Sequence, residues 1–335
     1  MKQKTVLVTG GAGYIGSHTA WLLAHQGYRV IILDTFYQKQ PFNHTWATIV
    51  QGDCADRVLL DQLFEHYHFD AVLHFAAFLS VGESVHNPLV YYDNNVAKAR
   101  ILLERMIAHH CTRFVFSSSC AVYGNPHYLP LTEEHPYHPV NPYGKTKYMV
   151  EMMLQDCAAA YDFSYVSLRY FNAAGALHTH GLQEWHVPET HAIPLMLRSV
   201  LTGKPFTIFG TDYATQDGTC IRDYIHVLDL AHAHHKALVH LEHQLPSDTF
   251  NLGTGKGISV LELLAAVQKV TGQEVPIMQG KRRKGDPAVL VADAKKAINI
   301  LNWQPVYSEV EELIQSAWAA EQLGLVHRQY QKQYE

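Results

Sequence analysis

The run Thr5-Val6-Leu7-Val8-Thr9 passes directly into Gly10-Gly11-Ala12-Gly13-Tyr14-Ile15-Gly16 and then into a helical pattern over residues 17–26. A short β-branched strand that turns through glycines straight into a helix is the opening of a βαβ unit. The Gly10-x-x-Gly13-x-x-Gly16 spacing leaves backbone amides bare at the positive end of that helix, where a pyrophosphate can approach. A second strand, residues 29–33, ends at Asp34, eighteen residues past Gly16. A carboxylate there can accept from the hydroxyls of an adenosine ribose and would repel a 2′-phosphate, so the expected cofactor is NAD rather than NADP. A glycine-rich turn beside an unrelated aspartate is the bland alternative.

Strand-like runs recur at 47–50, 71–75, 113–117 and 165–169, separated by helical segments such as 56–67 and 88–110. The alternation predicts an α/β fold with a doubly wound parallel sheet of Rossmann type, which binds ligands along its carboxyl edge. Asp53 in Gly52-Asp53-Cys54 follows the third strand, where it either accepts from an adenine amino group or caps the next helix. Past Asn172 a loop rich in His, Gly and Glu runs through residue 190. This shift predicts a boundary between an NAD-binding domain, 1–172, and a smaller C-terminal α/β substrate lobe, 173–335, with a strand and helix around 223–253 returning to the first domain.

The stretch Asn141-Pro142-Tyr143-Gly144-Lys145-Thr146-Lys147 leads into an apolar pattern of helical period over 149–161. Tyr143 and Lys147 then lie one turn apart on one helix face. A free phenol has a pKa of about 10, and a nearby ammonium favours the phenolate, bringing Tyr143 toward general-base work near neutral pH. A surface contact is the alternative for this pair. Ser117-Ser118-Ser119 closes the fifth strand at the carboxyl edge; Ser119 is expected beside Tyr143, with Ser117 or Ser118 capping the following turn.

Composition excludes several other classes. With 26 basic and 31 acidic residues, a formal charge of −5 argues against a dedicated nucleic-acid or anionic-membrane partner. No apolar stretch has membrane-spanning length, and the five cysteines show no short paired spacing, which fits reduced thiols and a cytoplasmic protein. The 23 histidines include His178, His180 and His232, His234, His235, but none shows the His-Glu-x-x-His pattern or a partnering cysteine pair. No metal is expected, and the histidines are read as a solvated surface. Lys281-Arg282-Arg283-Lys284 is the only basic run and by itself reads as a solvated patch.

The glycine turn, Ser119 and Tyr143-x-x-x-Lys147 together resemble the extended short-chain dehydrogenase/reductases. Val81-Gly82-Glu83-Ser84, Tyr91-Tyr92-Asp93-Asn94-Asn95, Arg169-Tyr170-Phe171-Asn172 and Arg222-Asp223-Tyr224-Ile225-His226-Val227 are similar to the UDP-glucose 4-epimerase branch of that family. The resemblance implies interconversion of UDP-galactose and UDP-glucose by inversion at C4, through a transient 4-keto sugar and bound NAD. It implies cofactor contacts from Gly10, Gly13, Tyr14, Ile15, Gly16, Asp34, Asp53, Cys54, Phe75, Ala76, Asn94, Ser117, Tyr143, Lys147 and Tyr170. For the UDP-hexose it implies Ser119 and Tyr143 at the reacting carbon and Asn172, Thr190, His191, Arg222 and Arg283 on the diphosphate. Phe209 would lie beside the uracil, Asp286 on the uridine ribose and Leu290 beside the sugar. It further implies a homodimer through segments 88–110 and 144–161.

This chain departs from the pattern in two places, with Leu79 where a ribose-contacting lysine is common and Thr190-His191 where Asn-Asn is common. Cys120-Ala121 replaces the Asp-Glu pair of the dehydratase relatives and is too apolar to eliminate water. Leu290, bulkier than the small residue of relatives that take N-acetylated sugars, implies a preference for plain hexoses. The alternatives are 4-epimerisation of another UDP-sugar (a pentose, uronic acid or N-acetylhexosamine), net oxidation or reduction on this scaffold, and a non-catalytic dinucleotide-binding regulator.

Overall fold

The computed structural model describes residues 3–38, 42, 44–283 and 286–332, with side chains to residue 323. In chain order the first half comprises β1 (Thr5–Thr9), α1 (Tyr14–His25), β2 (Arg29–Asp34), β3 (Thr48–Gln51), α2 (Arg57–Tyr67), β4 (Ala71–His74), α3 (Val81–His86), α4 (Pro88–Tyr92), α5 (Lys98–Ala108), β5 (Arg113–Ser119), α6 (Pro142–Ala160) and β6 (Ser164–Tyr170). The second half comprises β7 (Asn172–Ala174), α7 (Ala192–Thr202), β8 (Phe206–Phe209), β9 (Ile221–His226), α8 (Val227–Glu242), β10 (Asp248–Leu252), β11 (Gly257–Ser259), α9 (Val260–Thr271), β12 (Ile277–Gly280), β13 (Val289–Leu290), α10 (Lys295–Leu301) and α11 (Val310–Lys332).

Seven parallel strands form the main sheet in the order β10-β6-β5-β4-β1-β2-β3, the doubly wound sheet expected from the sequence. Alternate residues of each strand feed opposite layers. Val6 and Val8 pack with Ala20 and Leu23 of α1 and Leu230 and Leu238 of α8. Leu7 packs with Leu60 of α2, Leu102 of α5 and Leu154 of α6. Each such side chain contributes about 1.5–3 kcal/mol of burial, so the sheet is held from both faces. Strand order reverses between β1 and β4, and the loops leaving their carboxyl ends diverge there to open a crevice. Smaller sheets, β11-β9-β13 with β7 alongside β9, and β12-β8, build the second lobe around Ile193, Leu197, Leu263 and Leu313.

The region expected as one helix over 88–110 is broken. A wide π turn spans Asp93–Ala97 between α4 and α5. Its buried Asn95 accepts from Phe78 N at 2.8 Å and donates to Phe78 O at 2.9 Å and Thr146 Oγ1 at 3.1 Å. The extra residue in that turn lets a polar side chain replace the missing partners of residue 78, a device found at functional sites.

The histidines also differ from the solvated surface expected. His18, His74, His226, His234 and His240 are buried. His74 Nδ1 sits 2.7 Å from Thr9 Oγ1 and His234 Nδ1 2.8 Å from Leu230 O. Burial pushes these two imidazoles down to about 3 and about 4, so they serve as neutral core residues near pH 7.

Candidate active site

Glycine is required at two points of the β1–α1 turn. Gly10 has φ +70°, and a Cβ there would meet Ala76 N at 2.5 Å; a Cβ on Gly16 would meet Gly10 O at 2.3 Å. The close approach lets α1 start directly over the strand ends, with Gly13 at its N-cap and no side chain capping it. Asp34, at the end of β2, accepts from Ala12 N at 3.0 Å and Phe36 N at 2.8 Å. A carboxylate has about four acceptor positions, so two remain for a diol. Asp53 does not take the helix-capping role that was one of its two expected roles. It accepts from Ala55 N at 2.9 Å and pairs with Lys98 Nζ at 2.6 Å, while Asp56 caps α2.

On the other side of β4, helix α6 starts at Pro142 with Asn141 accepting from Gly144 N at 2.8 Å. Tyr143 and Lys147 therefore stand in its first two turns, facing the end of β5. Lys147 is buried, donates to Ser117 O at 2.8 Å and lies 5.8 Å from the centre of the Tyr143 ring. The Ser119 hydroxyl lies near enough to the Tyr143 phenol to favour its ionised form, and accepts from Ala121 N at 3.2 Å. The turn-capping role expected of Ser117 or Ser118 thus falls to Ser119. Ser117 bonds the Tyr170 hydroxyl, and Ser118 points away to Glu151 at 2.6 Å.

Electrostatics reverse one expectation. Burial pushes the Tyr143 phenol up to about 12, with the Ser119 hydrogen bond opposing, and burial pushes the Lys147 ammonium down to about 7 against the attraction of Glu151. Within the chain alone, desolvation outweighs the lysine charge that was expected to ionise the phenol. The Cys120 thiol is likewise pushed by burial to about 12, too weakly acidic to trade protons near neutrality.

One cleft of about 1600 Å³ runs from the glycine turn past Tyr143 to the second lobe. It exceeds the usual 300–1,000 Å³ of a single small-molecule site and has room for two ligands end to end. Every residue expected at the site lines it: Gly10, Gly13, Tyr14, Ile15, Gly16, Asp34, Asp53, Cys54, Phe75, Ala76, Asn94, Ser117, Ser119, Tyr143, Lys147 and Tyr170 on the sheet side, and Asn172, Thr190, His191, Phe209, Arg222, Arg283, Asp286 and Leu290 beyond. Arg222 pairs with Asp286, and the Arg283 guanidinium lies 4.1 Å over the Phe209 ring. The basic run is therefore no uniform solvated patch, since Arg282 also pairs with Asp212 at 2.6 Å; Lys284 and Gly285 lie outside the described residues. Sequence reasoning missed the lining residues Lys98, Tyr224 and His186. Lys98 is recognisable only by its pairing with Asp53, and His186 by the company of Glu184, Glu189 and His191.

Residues 6–253 match the NAD dependent epimerase/dehydratase family. The chain belongs to that family. A UDP-glucose 4-epimerase of Halalkalibacterium halodurans is 48% identical over 314 residues, 93% of this chain and 94% of that relative. The crystal structure of UDP-glucose 4-epimerase from Brucella ovis in complex with NAD has a TM-score of 0.89 and 45% identity, covering 94% of this chain and 97% of that one. The structure of the Bifidobacterium longum enzyme in complex with NAD+ and UDP has a TM-score of 0.87 and 36% identity, covering 96% and 99%. This family member carries what NAD requires: a glycine turn that admits no Cβ and a half-buried carboxylate, Asp34, with acceptor capacity to spare. Among the described residues no helix is long and apolar enough to cross a membrane.

Proposed function

We propose that the protein interconverts UDP-galactose and UDP-glucose by inverting C4, with Tyr143 as the proton acceptor and donor. The observation that carries this reading is the phenol, hydroxyl and ammonium of Tyr143, Ser119 and Lys147 gathered midway along a single two-ligand cleft. Tyr143 takes the proton of the 4-hydroxyl, and Ser119 donates to the same oxygen as it becomes a ketone. Lys147, fixed to Ser117 O, steadies the phenolate. Bound NAD supplies a reversible hydride acceptor at C4 and a pyridinium charge that offsets the desolvation of the phenol. Asn172, Arg222, Arg283, Phe209 and Asp286 clamp the nucleotide, so the sugar alone turns between the two half-reactions. On this reading residues 1–172 hold the cofactor and 173–335 the nucleotide sugar. The deciding experiment mixes UDP-galactose with purified protein and no added dinucleotide; UDP-glucose should appear, and its absence from a folded, NAD-loaded sample would refute the assignment.

Because the cofactor ends each cycle as it began, NAD is expected to stay bound through turnover. Acid denaturation of the purified protein should release close to one dinucleotide per chain. Activity that depends strictly on added NAD would overturn tight retention.

Leu290 sits on β13 beside Arg222 of β9 and packs on the cluster of Val122, Tyr123, Leu131, Phe171 and Ala292. Its side chain supports a wall against which a bulky C2 substituent would collide as the sugar turns. UDP-glucose and UDP-galactose are the expected substrates, with UDP-N-acetylglucosamine slow. Leu290→Ser should shift the ratio of kcat/KM toward the acetylated sugar by about 10-fold or more, the scale of a few methylenes in a pocket. A ratio that does not move would remove Leu290 from the sugar site.

The enzyme is proposed to act as a homodimer in the cytoplasm. Val85, Leu89 and Val90 on α3 and α4 and Met152 on α6 are each exposed apolar side chains, with Leu89 79% accessible, and all five cysteines are free thiols. Sedimentation equilibrium checks the dimer, and a monomer at micromolar concentration would exclude it.

A further inference from the structure

We propose that Glu184, His186, Glu189 and His191 form a structural divalent-cation site, best suited to Zn2+, that ties down the loop on the nucleotide-sugar side of the cleft. One ligand atom from each of the four lies within 4.8 Å of all the others, though the residues belong to an irregular segment with no metal-binding motif. His186 Nδ1 is 3.1 Å from Glu184 Oε1 and 3.6 Å from Glu189 Oε1, and His191 Nδ1 contacts the same Glu184 oxygen. The two imidazoles and two carboxylates thus share one small volume, with both imidazoles on the same Glu184 oxygen.

A second observation is independent of this proximity. His186 Nδ1 and Glu189 Oε2 are buried yet make no hydrogen bond of ordinary geometry among the described residues. The His186 side chain is only 10% accessible and that of Glu189 2%. Each keeps only an ion-pair contact, His186 Nδ1 with Glu184 at 3.1 Å and Glu189 Oε2 with Arg198 at 3.3 Å, and a cation would give both a full-strength bond.

The donor set decides the class of ion. Two imidazole nitrogens and two carboxylate oxygens suit borderline Zn2+ better than Mg2+ or Ca2+, which prefer oxygen alone. Zn–N and Zn–O bonds of about 2.0–2.2 Å put tetrahedral ligand atoms roughly 3.3–3.5 Å apart, so binding would draw in the wider separations, which are all within 4.8 Å, and part His191 from its short contact with Glu184. All four positions are filled by protein, which leaves none open for substrate and makes the site structural.

The surroundings supply the outer contacts such a site uses. Arg198 of α7 lies 3.3 Å from Glu189 Oε2, and the Thr190 and His191 amides donate to Glu189 Oε1 at 2.8 and 3.0 Å. The same loop reaches the cofactor side, where Val187 N donates to Gln38 Oε1 at 3.1 Å and the Tyr14 ring meets His186 edge-on. An ion at this junction would fix Thr190 and His191 against the cleft. The inference stands whichever sugar the enzyme takes.

The test uses the NAD-loaded protein, stripped with EDTA and titrated calorimetrically with Zn2+ alone. One Zn2+ per chain with submicromolar Kd, a thermal midpoint that rises with Zn2+, and a Co2+ derivative with four-coordinate visible absorption are expected. His186→Ala and Glu189→Gln should each weaken that binding by at least about 100-fold, beyond the 10–100-fold of an outer-shell change. Circular dichroism and NAD content keep the result readable if one variant folds poorly. Absence of a tight equivalent overturns the proposal, because the cluster is then a set of Glu–His ion pairs. Equally decisive is tight binding unchanged in both variants, which would assign the metal to other histidines among the 23 in the chain.

Discussion

Tyr143→Phe is expected to keep the fold and its bound NAD while losing about 10²- to 10⁴-fold in turnover, the usual range for a positioned acid or base. The ring stays, so the packing of α6 against the end of β5 is preserved; only the phenol hydroxyl is removed. The neighbouring groups are poorly placed to take over its proton. Cys120 is held as a neutral thiol by burial, and the Ser119 hydroxyl is itself a weak acid. Lys147 is committed to Ser117 O. Steady-state kinetics with UDP-galactose, NAD content and thermal midpoint should be measured together. A variant with normal content and near-normal turnover would reduce Tyr143 to a packing residue. Ser119→Ala should cost less than Tyr143→Phe, since it deletes a hydrogen bond and leaves the base.

Arg169→Ala is expected to be the most destabilising single change near the site, by about 3–5 kcal/mol, because it strands a buried carboxylate. The Arg169 and Glu151 side chains are 1% and 2% accessible and pair in bidentate fashion, with Arg169 Nε donating to Glu151 Oε1 at 2.9 Å. The other guanidinium arm donates to Tyr123 Oη at 2.9 Å, and Ser118 donates to the same Glu151 oxygen at 2.6 Å. This pair pins the backbone on which Ser117 and Ser119 stand, so lost activity should accompany lost stability. Lys256→Ala, which removes an exposed pair with Glu309, is the control and should barely move the denaturant midpoint. Equal midpoints for both variants would mean that Glu151 finds another partner.

The parts of the site legible in the sequence are those whose geometry is local. Three glycines at fixed spacing after a strand dictate the turn and the exposed helix terminus. Asp34 follows one βαβ step later, and Tyr143 and Lys147 share a face because they are four apart on a helix. Ser119 was readable as the end of a strand. The broken helix at 93–97 was not, since its cause is a bond from Asn95 to Phe78 seventeen residues away.

What the sequence by itself determined is the alternation of strands and helices in the first domain and the cofactor turn, set by periodicity and by residue types with one suitable conformation; the candidate reacting side chains were readable in it through resemblance. Only the tertiary structure decided how those groups are charged and paired. Arg222 meets Asp286 across 64 residues and Lys98 meets Asp53 across 45. The phenol of Tyr143 is raised, against the local expectation, because burial is a property of everything packed around a residue and not of its neighbours in the chain. The convergence of Glu184, His186, Glu189 and His191 has the same origin: an irregular loop carries no period from which side-chain directions can be read, and the fold alone turns its four donors toward one point.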